Sequence, residues 1–344
     1  MNARVDRLRE TLPERLLVTN PKSIEYLVGF KSSNAALLVE EERVCLFADF
    51  RYAEAARSVV GVEFVETERA LLKALARRLS GRLAFESTHV SYASYETLRD
   101  GGLELVPLTG TVEALRAVKE RSELDAIRSA CAITDVVYER HAEEEFVGRT
   151  ELDVAWTMAQ LFHEEGSLLG FEPVVASGPN AAKPHSRASD RVIQRGETVV
   201  IDAGCTVDGY CSDYTRTFAT GPLSDELKAA YRVCAEAQRE GLEAVRAGVT
   251  GVDADAAARR VVDESDFAGA FGHGLGHGIG LEIHEAPRLS TESTDTLVPG
   301  NVVTVEPGIY LPGLGGIRIE DDVHVTEDGG ENLTSVRKDL VEVG

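Results

Sequence analysis

The chain has 344 residues, 43% of them hydrophobic, enough for about two domains with sizeable cores, which excludes global disorder. No apolar run approaches the roughly 20 residues that span a bilayer, and the charged segment Met1 to Arg7 has no apolar signal stretch behind it, so a cytoplasmic protein is expected. A formal charge of −22, from 58 acidic against 36 basic residues, excludes nucleic acid and anionic membrane as partners, because counterion release needs basic surface.

The first third alternates short apolar runs with helical patterns. Ala35–Val39 and Val44–Ala48 flank a polar turn and predict a hairpin. A helix is expected over 51–59, a strand over 62–65 and an amphipathic helix over 68–79. Strands at 83–85 and 103–106 enclose a helix at 92–99. This is an α/β layer domain, assigned to residues 1–112. A long helical region then opens at Thr111 in the manner of an N-cap, with apolar residues at Leu115, Val118, Leu124, Ile127 and Cys131. Another helix is expected over 151–164. From Phe171 the texture changes to strands and glycine-rich turns, broken by one helix over 224–247. Residues 113–344 form the second domain, which alone holds a dense cluster of His, Asp and Glu in apolar settings. Five scattered cysteines with no CxxC pair read as small buried hydrophobes in a reducing compartment.

Three segments of that domain carry chemistry. In the first, Val199-Val200-Ile201-Asp202 and Cys211-Ser212-Asp213-Tyr214-Thr215 flank a turn containing Asp208-Gly209. A hairpin closing symmetrically about Val207 and Asp208 sets Asp202 directly opposite Asp213, with Cβ atoms about 4.5–5.5 Å apart. Two like charges so placed repel unless a cation lies between them. The second segment runs from Gly272 to Glu285, with glycine at nearly every second position up to Gly280. A helix there is disfavoured by about 1 kcal/mol per glycine, so His273, Leu275, His277 and Ile279 are expected on one face of an extended strand. The glycines then let another backbone approach on the opposite face. A phosphate-loop reading fails, since no Gly-Lys-Ser/Thr ending follows. In the third segment, Glu306 and Glu320 each end a β-branched apolar run. A structural salt bridge, with Arg318 as partner, is the simpler reading for either one alone.

Together, Asp202, Asp213, His277, Glu306 and Glu320 supply four carboxylates and one imidazole. Hard oxygen donors favour Mn²⁺ or Co²⁺ over a thiolate-type zinc site, with Fe²⁺ and Zn²⁺ left open. Four negative charges balance two divalent ions, which in hydrolytic sites lie about 3.5–4 Å apart.

The Asp-Asp-His-Glu-Glu order resembles the pita-bread (creatinase/aminopeptidase-fold) metallopeptidases, and within them the prolidase and aminopeptidase P branch. Pro179 to His185, Ser212 to Phe218 and Glu306 to Tyr310 are similar to signature segments of that branch, as are Tyr26 to Phe30, Arg116 to Lys119 and Glu123-Leu124. Ser186 departs from the pattern, standing where many members place an aromatic residue. The resemblance implies a creatinase-like N-terminal α/β domain followed by an α+β pita-bread catalytic domain. It implies that Asp202 binds one metal ion, His277 and Glu306 the other, and that Asp213 and Glu320 bridge both. A metal-bridging hydroxide is then the nucleophile, Glu306 the general base, and His284 and His185 the groups that contact substrate and the tetrahedral intermediate. His273 lines the pocket, and Arg318 orients Glu320 or the substrate carboxylate. The implied activity is hydrolysis of the Xaa-Pro bond in dipeptides by a homodimer whose first domain limits access to short peptides. Aminopeptidase P, acting on longer peptides, is the alternative. A methionine aminopeptidase usually lacks such a first domain, a creatinase-like enzyme works without metals, and a non-catalytic pita-bread binding protein typically lacks several ligands.

Among the basic residues arginine far outnumbers lysine. An acidic, lysine-poor surface suits a high-salt cytoplasm, where screening removes self-repulsion. The unfolding midpoint should therefore rise between low and molar salt. A flat or falling midpoint would show that the charge excess has no such role.

Overall fold

The structure is a computed structural model that describes residues 3–343, in two compact units divided between Arg116 and Ala117. The first unit is a six-stranded sheet with helices. Its strands are β1 (Leu16–Val18), β2 (Ala35–Val39), β3 (Val44–Asp49), β4 (Glu63–Thr67), β5 (Gly81–Glu86) and β6 (Leu103–Leu108), in the order β4-β3-β2-β1-β5-β6. The expected hairpin forms with Ala35 opposite Ala48 and Val39 opposite Val44, and both its strands are buried along their whole length. Helices occupy Ala53–Arg57, Leu71–Arg78 and Tyr92–Asp100. Central β1 escapes the sequence reading because three apolar residues are too short for a period of two to show.

Among the described residues, four sheets and two helix pairs build the second unit. The helical region after Gly110 begins with Thr111 as a helical residue rather than its cap, and it breaks into Thr111–Ala117 and Arg121–His141. At the break the Lys119 amide donates to Gly300 O at 2.7 Å, and Glu120 with Glu123 forms a capping box that restarts the helix. Helix Glu151–Glu164 packs beside it, and Val137, Tyr138, Val154, Met158 and Phe162 cover a sheet ordered Val341–Glu342, Tyr214–Ala219, Thr198–Ala203, Val174–Ser177. The second pair, Asp225–Ala244 and Gly251–Asp263, buries Leu227, Cys234, Ala254 and Val262 on a sheet containing Gly276–Gly278, Val302–Val305 and Asp321–Val325. Helix Gly251–Asp263 contradicts the expectation of a single helix after Phe171. It opens on Gly251, and Asp253 and Asp255 read as turn residues, yet Thr250 caps it by accepting the Asp253 amide.

Two details of the site-bearing segments differ from expectation. Asp208 and Gly209 both have positive φ, 52° and 92°, so they are the central pair of the hairpin turn, and Val207 pairs with Tyr210. A two-residue turn of this kind needs left-handed φ at both positions, which Val207 disfavours. The turn centre therefore moves by one residue and the pairing by two, so Asp202 lies opposite Thr215, with Asp213 its diagonal neighbour. In the glycine-rich segment, paired strand covers only Gly276–Gly278, so the alternation over 273–279 is not carried by a continuous ladder. The close approach expected of the glycines is present. A Cβ at Gly276 would stand 1.9 Å from Thr304 O of the neighbouring strand.

Gly276→Ala should therefore push these strands apart and destabilise the second unit by roughly 1–3 kcal/mol or more. A urea midpoint unchanged from wild type would show that the backbone there relaxes freely.

Candidate metal centre

The donors sit at strand ends, where a ladder fixes the backbone and the side chain is free to turn inward. Asp202 is the penultimate residue of Thr198–Ala203, and Asp213 immediately precedes Tyr214–Ala219. His277 is the middle residue of Gly276–Gly278. Glu306 directly follows Val302–Val305, and Glu320 immediately precedes Asp321–Val325. All five line one cavity of about 420 Å³ in the second unit, together with His185, His273, His284 and Arg318. Every site residue expected from the sequence thus lies on one cavity wall.

Ligand atoms of Asp213, His277 and Glu320 lie within 4.8 Å of one another. His277 Nε2 is 3.4 Å from Glu306 Oε1 and 3.8 Å from Asp213 Oδ2. Asp202 stands apart from this triplet, because its Oδ2 accepts from Arg318 Nη2 at 2.5 Å. Its Oδ1 is buried without a partner, as is Asp213 Oδ1. Orphaned buried carboxylate oxygens are costly, and a divalent cation is the partner that would satisfy them. Hard oxygens with one imidazole suit such an ion, so the residues present fit it.

Electrostatics agree. Burial, then the neighbouring carboxylates Glu320 and Asp202, holds the Asp213 carboxyl well above its ordinary range. Glu320 is raised likewise, by burial and then by Glu306 and Asp202. Burial pushes Glu306 up to about 7. Among the imidazoles, burial and then His284 lower His277 to about 3, and burial lowers His273 to about 4. A cluster of carboxylates reluctant to ionise around an imidazole reluctant to protonate calls for positive charge from outside.

Supporting bonds fix the geometry of the donors. His277 Nδ1 lies 3.0 Å from Gly278 O, so it carries the proton and leaves the Nε2 lone pair facing the carboxylates. Thr304 Oγ1 accepts the His277 amide at 3.1 Å and donates to Glu306 at 3.2 Å. Thr215 Oγ1 donates to Glu320 Oε2 at 2.7 Å and accepts from Arg318 Nε at 2.9 Å. Tyr310 OH accepts from Arg318 and lies 2.8 Å from His273 Nε2. Asp322, fully buried, accepts the Asp213 amide at 3.0 Å. His284 stacks edge-on to His277, with ring centroids 4.3 Å apart, and His185 stands exposed at the rim.

Thr215, Thr304 and Asp322 were not singled out from the sequence. The two threonines have the look of ordinary strand residues, and Asp322 reads, with Asp321, as part of a solvated acidic run. Only the sharp drop in polarity on either side of that run hinted at its burial.

Both units are similar to known proteins. The profile of metallopeptidase family M24 matches residues 125–327, and that of the creatinase/prolidase N-terminal domain matches residues 4–118. An uncharacterised peptidase of Bacillus subtilis is 38% identical, covering 95% of each chain. The Xaa-Pro dipeptidase of Pyrococcus furiosus is 32% identical, covering 99% of this chain and 100% of its own. Among solved structures, an Xaa-Pro dipeptidase from Bacillus anthracis superposes with a TM-score of 0.94 at 37% identity over 99% of both chains. An X-Pro aminopeptidase from Thermotoga maritima gives 0.88 at 33% identity over 98% of this chain and all of its own.

Because Asp213, Glu320 and Glu306 hold protons that a cation must displace, metal affinity should climb with pH through about 7, and binding at pH 6 should release protons. His277, neutral down to about pH 3, adds no competition above that pH. Titration calorimetry in buffers of different ionisation enthalpy measures the release. An affinity independent of pH would mean that these carboxylates do not hold the ion.

Proposed function

The chain belongs to metallopeptidase family M24, and from that premise and the donor set of the cavity we propose that it hydrolyses the Xaa-Pro bond of dipeptides with two divalent ions, Mn²⁺ or Co²⁺ foremost. The observation that carries the reading is the convergence of four carboxylates and one imidazole on one small cavity, with two carboxylate oxygens left unpartnered. Asp202, Asp213, His277, Glu306 and Glu320 would hold the ions, Asp202 through the oxygen that Arg318 leaves free. When bound, the ions supply Lewis acidity and bring the pKa of a water toward neutrality.

The remaining chemistry belongs to this chain. Glu306, on the cavity lining beside His277, is placed to take the proton of the attacking water and deliver it to the leaving proline nitrogen. His284 and His185, at the rim, donate to the oxygen on which negative charge develops. Arg318, locked by Thr215, Tyr310 and Asp202, holds Asp202 in place and presents fixed positive charge to a substrate carboxylate. An Xaa-Pro bond lacks an N–H and has a fixed φ, so it docks poorly in sites that bind an extended strand. A cavity of about 420 Å³ that addresses the leaving nitrogen with side chains avoids that requirement and suits a short peptide. Relatives named Xaa-Pro dipeptidase along the full chain support the dipeptide reading, and the Thermotoga maritima structure keeps aminopeptidase P as its rival.

The deciding assay strips the protein of metal, restores Mn²⁺ or Co²⁺, and follows proline release from an Xaa-Pro dipeptide and an Xaa-Pro-Xaa tripeptide, with a Met-Ala peptide as control. Metal-dependent cleavage of the dipeptide alone is expected, and Asp213→Ala and Glu320→Ala should lose bound metal and activity together. Cleavage of the tripeptide would move the assignment to aminopeptidase P. Near-normal turnover in either variant would sink the two-ion site.

A further inference from the structure

Glu151 is a buried carboxylate that the chemistry above does not use. It is the first residue of helix Glu151–Glu164 and is 0% exposed. Its Oε1 accepts from the Ser177 amide at 2.7 Å, from Ser177 Oγ at 2.8 Å and from Asn180 Nδ2 at 3.2 Å. Oε2 accepts from the Ser189 amide at 3.1 Å, from Ser189 Oγ at 2.6 Å and from Asn180 Nδ2 at 3.2 Å. These partners are all neutral. The charge is met by a full shell of donors and by the positive end of the helix that Glu151 begins.

Those donors come from both ends of one loop. Ser177 closes strand Val174–Ser177, Ser189 lies twelve residues later, and between them runs the segment that brings His185 to the cavity rim. The inner side of the loop is tied at Pro184 O, which accepts from Arg318 Nη1 at 3.1 Å. His185 itself makes no side-chain hydrogen bond among the described residues, so its direction depends on how the loop backbone is held at Ser177, Asn180, Pro184 and Ser189.

We propose that Glu151 is a positioning residue, whose clasp on Ser177, Asn180 and Ser189 fixes the loop so that His185 faces the cavity. The proposal rests on reading His185 as a group that contacts substrate. A neutral amide in place of the carboxylate keeps the size of the side chain but turns a donor toward the serine donors on one side. The loop then loses side-chain anchors at one end, keeping there the backbone tie from the Leu152 amide to Ser189 O at 3.0 Å, while the helix and the cavity floor stay in place.

The test is a double-mutant cycle of Glu151→Gln with His185→Ala in the metal-loaded enzyme, with metal content and ring NMR of labelled histidines as further readouts. Glu151→Gln should lower kcat about 10- to 100-fold, the usual effect of losing a partner that orients an active-site group. Bound metal should not change, and the His185 ring signal should broaden or split. In the His185→Ala background the same change should cost less than about twofold. Losses that multiply, with an unaltered His185 signal, would overturn the proposal and leave the Xaa-Pro reading standing. Unchanged turnover in His185→Ala would overturn the reading of His185 and the proposal together. If wild-type enzyme cleaves no Xaa-Pro peptide, the His185 signal alone decides. Should Glu151→Gln fail to fold, Ser189→Ala removes one hydroxyl of the clasp and runs the same cycle.

Discussion

Four carboxylates and one imidazole line a cavity of about 420 Å³, and the three carboxylates nearest the imidazole, Asp213, Glu306 and Glu320, are held above their ordinary range by burial and by neighbouring carboxylates unless a cation joins them. The second unit is organised around holding this repulsion in place. Each donor stands at or beside the end of a strand whose interior is buried apolar sheet, so the ladders carry the backbone while only the tips carry charge. The helices lie on the outer faces and contribute no donor. Their part is to bury enough apolar surface to keep the sheets together against the charge at their edges.

One strand shows how both faces of the sheet serve that end. Along Tyr214–Ala219, side chains alternate between the cavity and the packed side. Thr215 reaches Glu320 and Arg318. Its neighbour Arg216 is buried behind, and every guanidinium N–H finds an acceptor: Thr215 O, Glu320 O, Asp321, Val336 O and Arg337 O. Burying an arginine is costly unless its donors are satisfied and its charge is paired, and Asp321 supplies the pair. The reward is that the backbones of Thr215, on one sheet, and Glu320, just before a strand of another, are locked to one rigid fork. Asp322, next in sequence, turns back to hold the Asp213 amide.

How much of this was legible follows from how local each signal is. Apolar periodicity located most elements, and helix Glu151–Glu164 was expected over the same residues. The donors were legible because a carboxylate at the end of a β-branched run has no cheap alternative to burial with a partner. Residues that act through those donors were not. Thr215, Thr304 and Asp322 have ordinary neighbours in sequence, and their partners lie 105, 2 and 109 residues away, so only Thr304 had its partner within local reach. Glu151 was hidden for the same reason, since an acidic residue in the first turn of a helix is already explained by the helix dipole.

The shift in the Asp208-Gly209 hairpin shows what a single turn can decide. Asp202 directly opposite Asp213 would set two carboxylates on facing positions about 4.5–5.5 Å apart, whereas diagonal neighbours stand about 7–8 Å apart. The turn chemistry of Asp-Gly enforces the second arrangement, because both of its residues accept left-handed φ and the valine before them does not. It also places Thr215 opposite Asp202. That threonine accepts from Arg318, and Arg318 in turn pairs with Asp202, so what would have been a direct repulsion becomes a relay of hydrogen bonds around an open centre. The space left between the two aspartates is then available to a cation, and the choice of turn residues Asp208 and Gly209, which lie between the two donors in sequence, is what creates it.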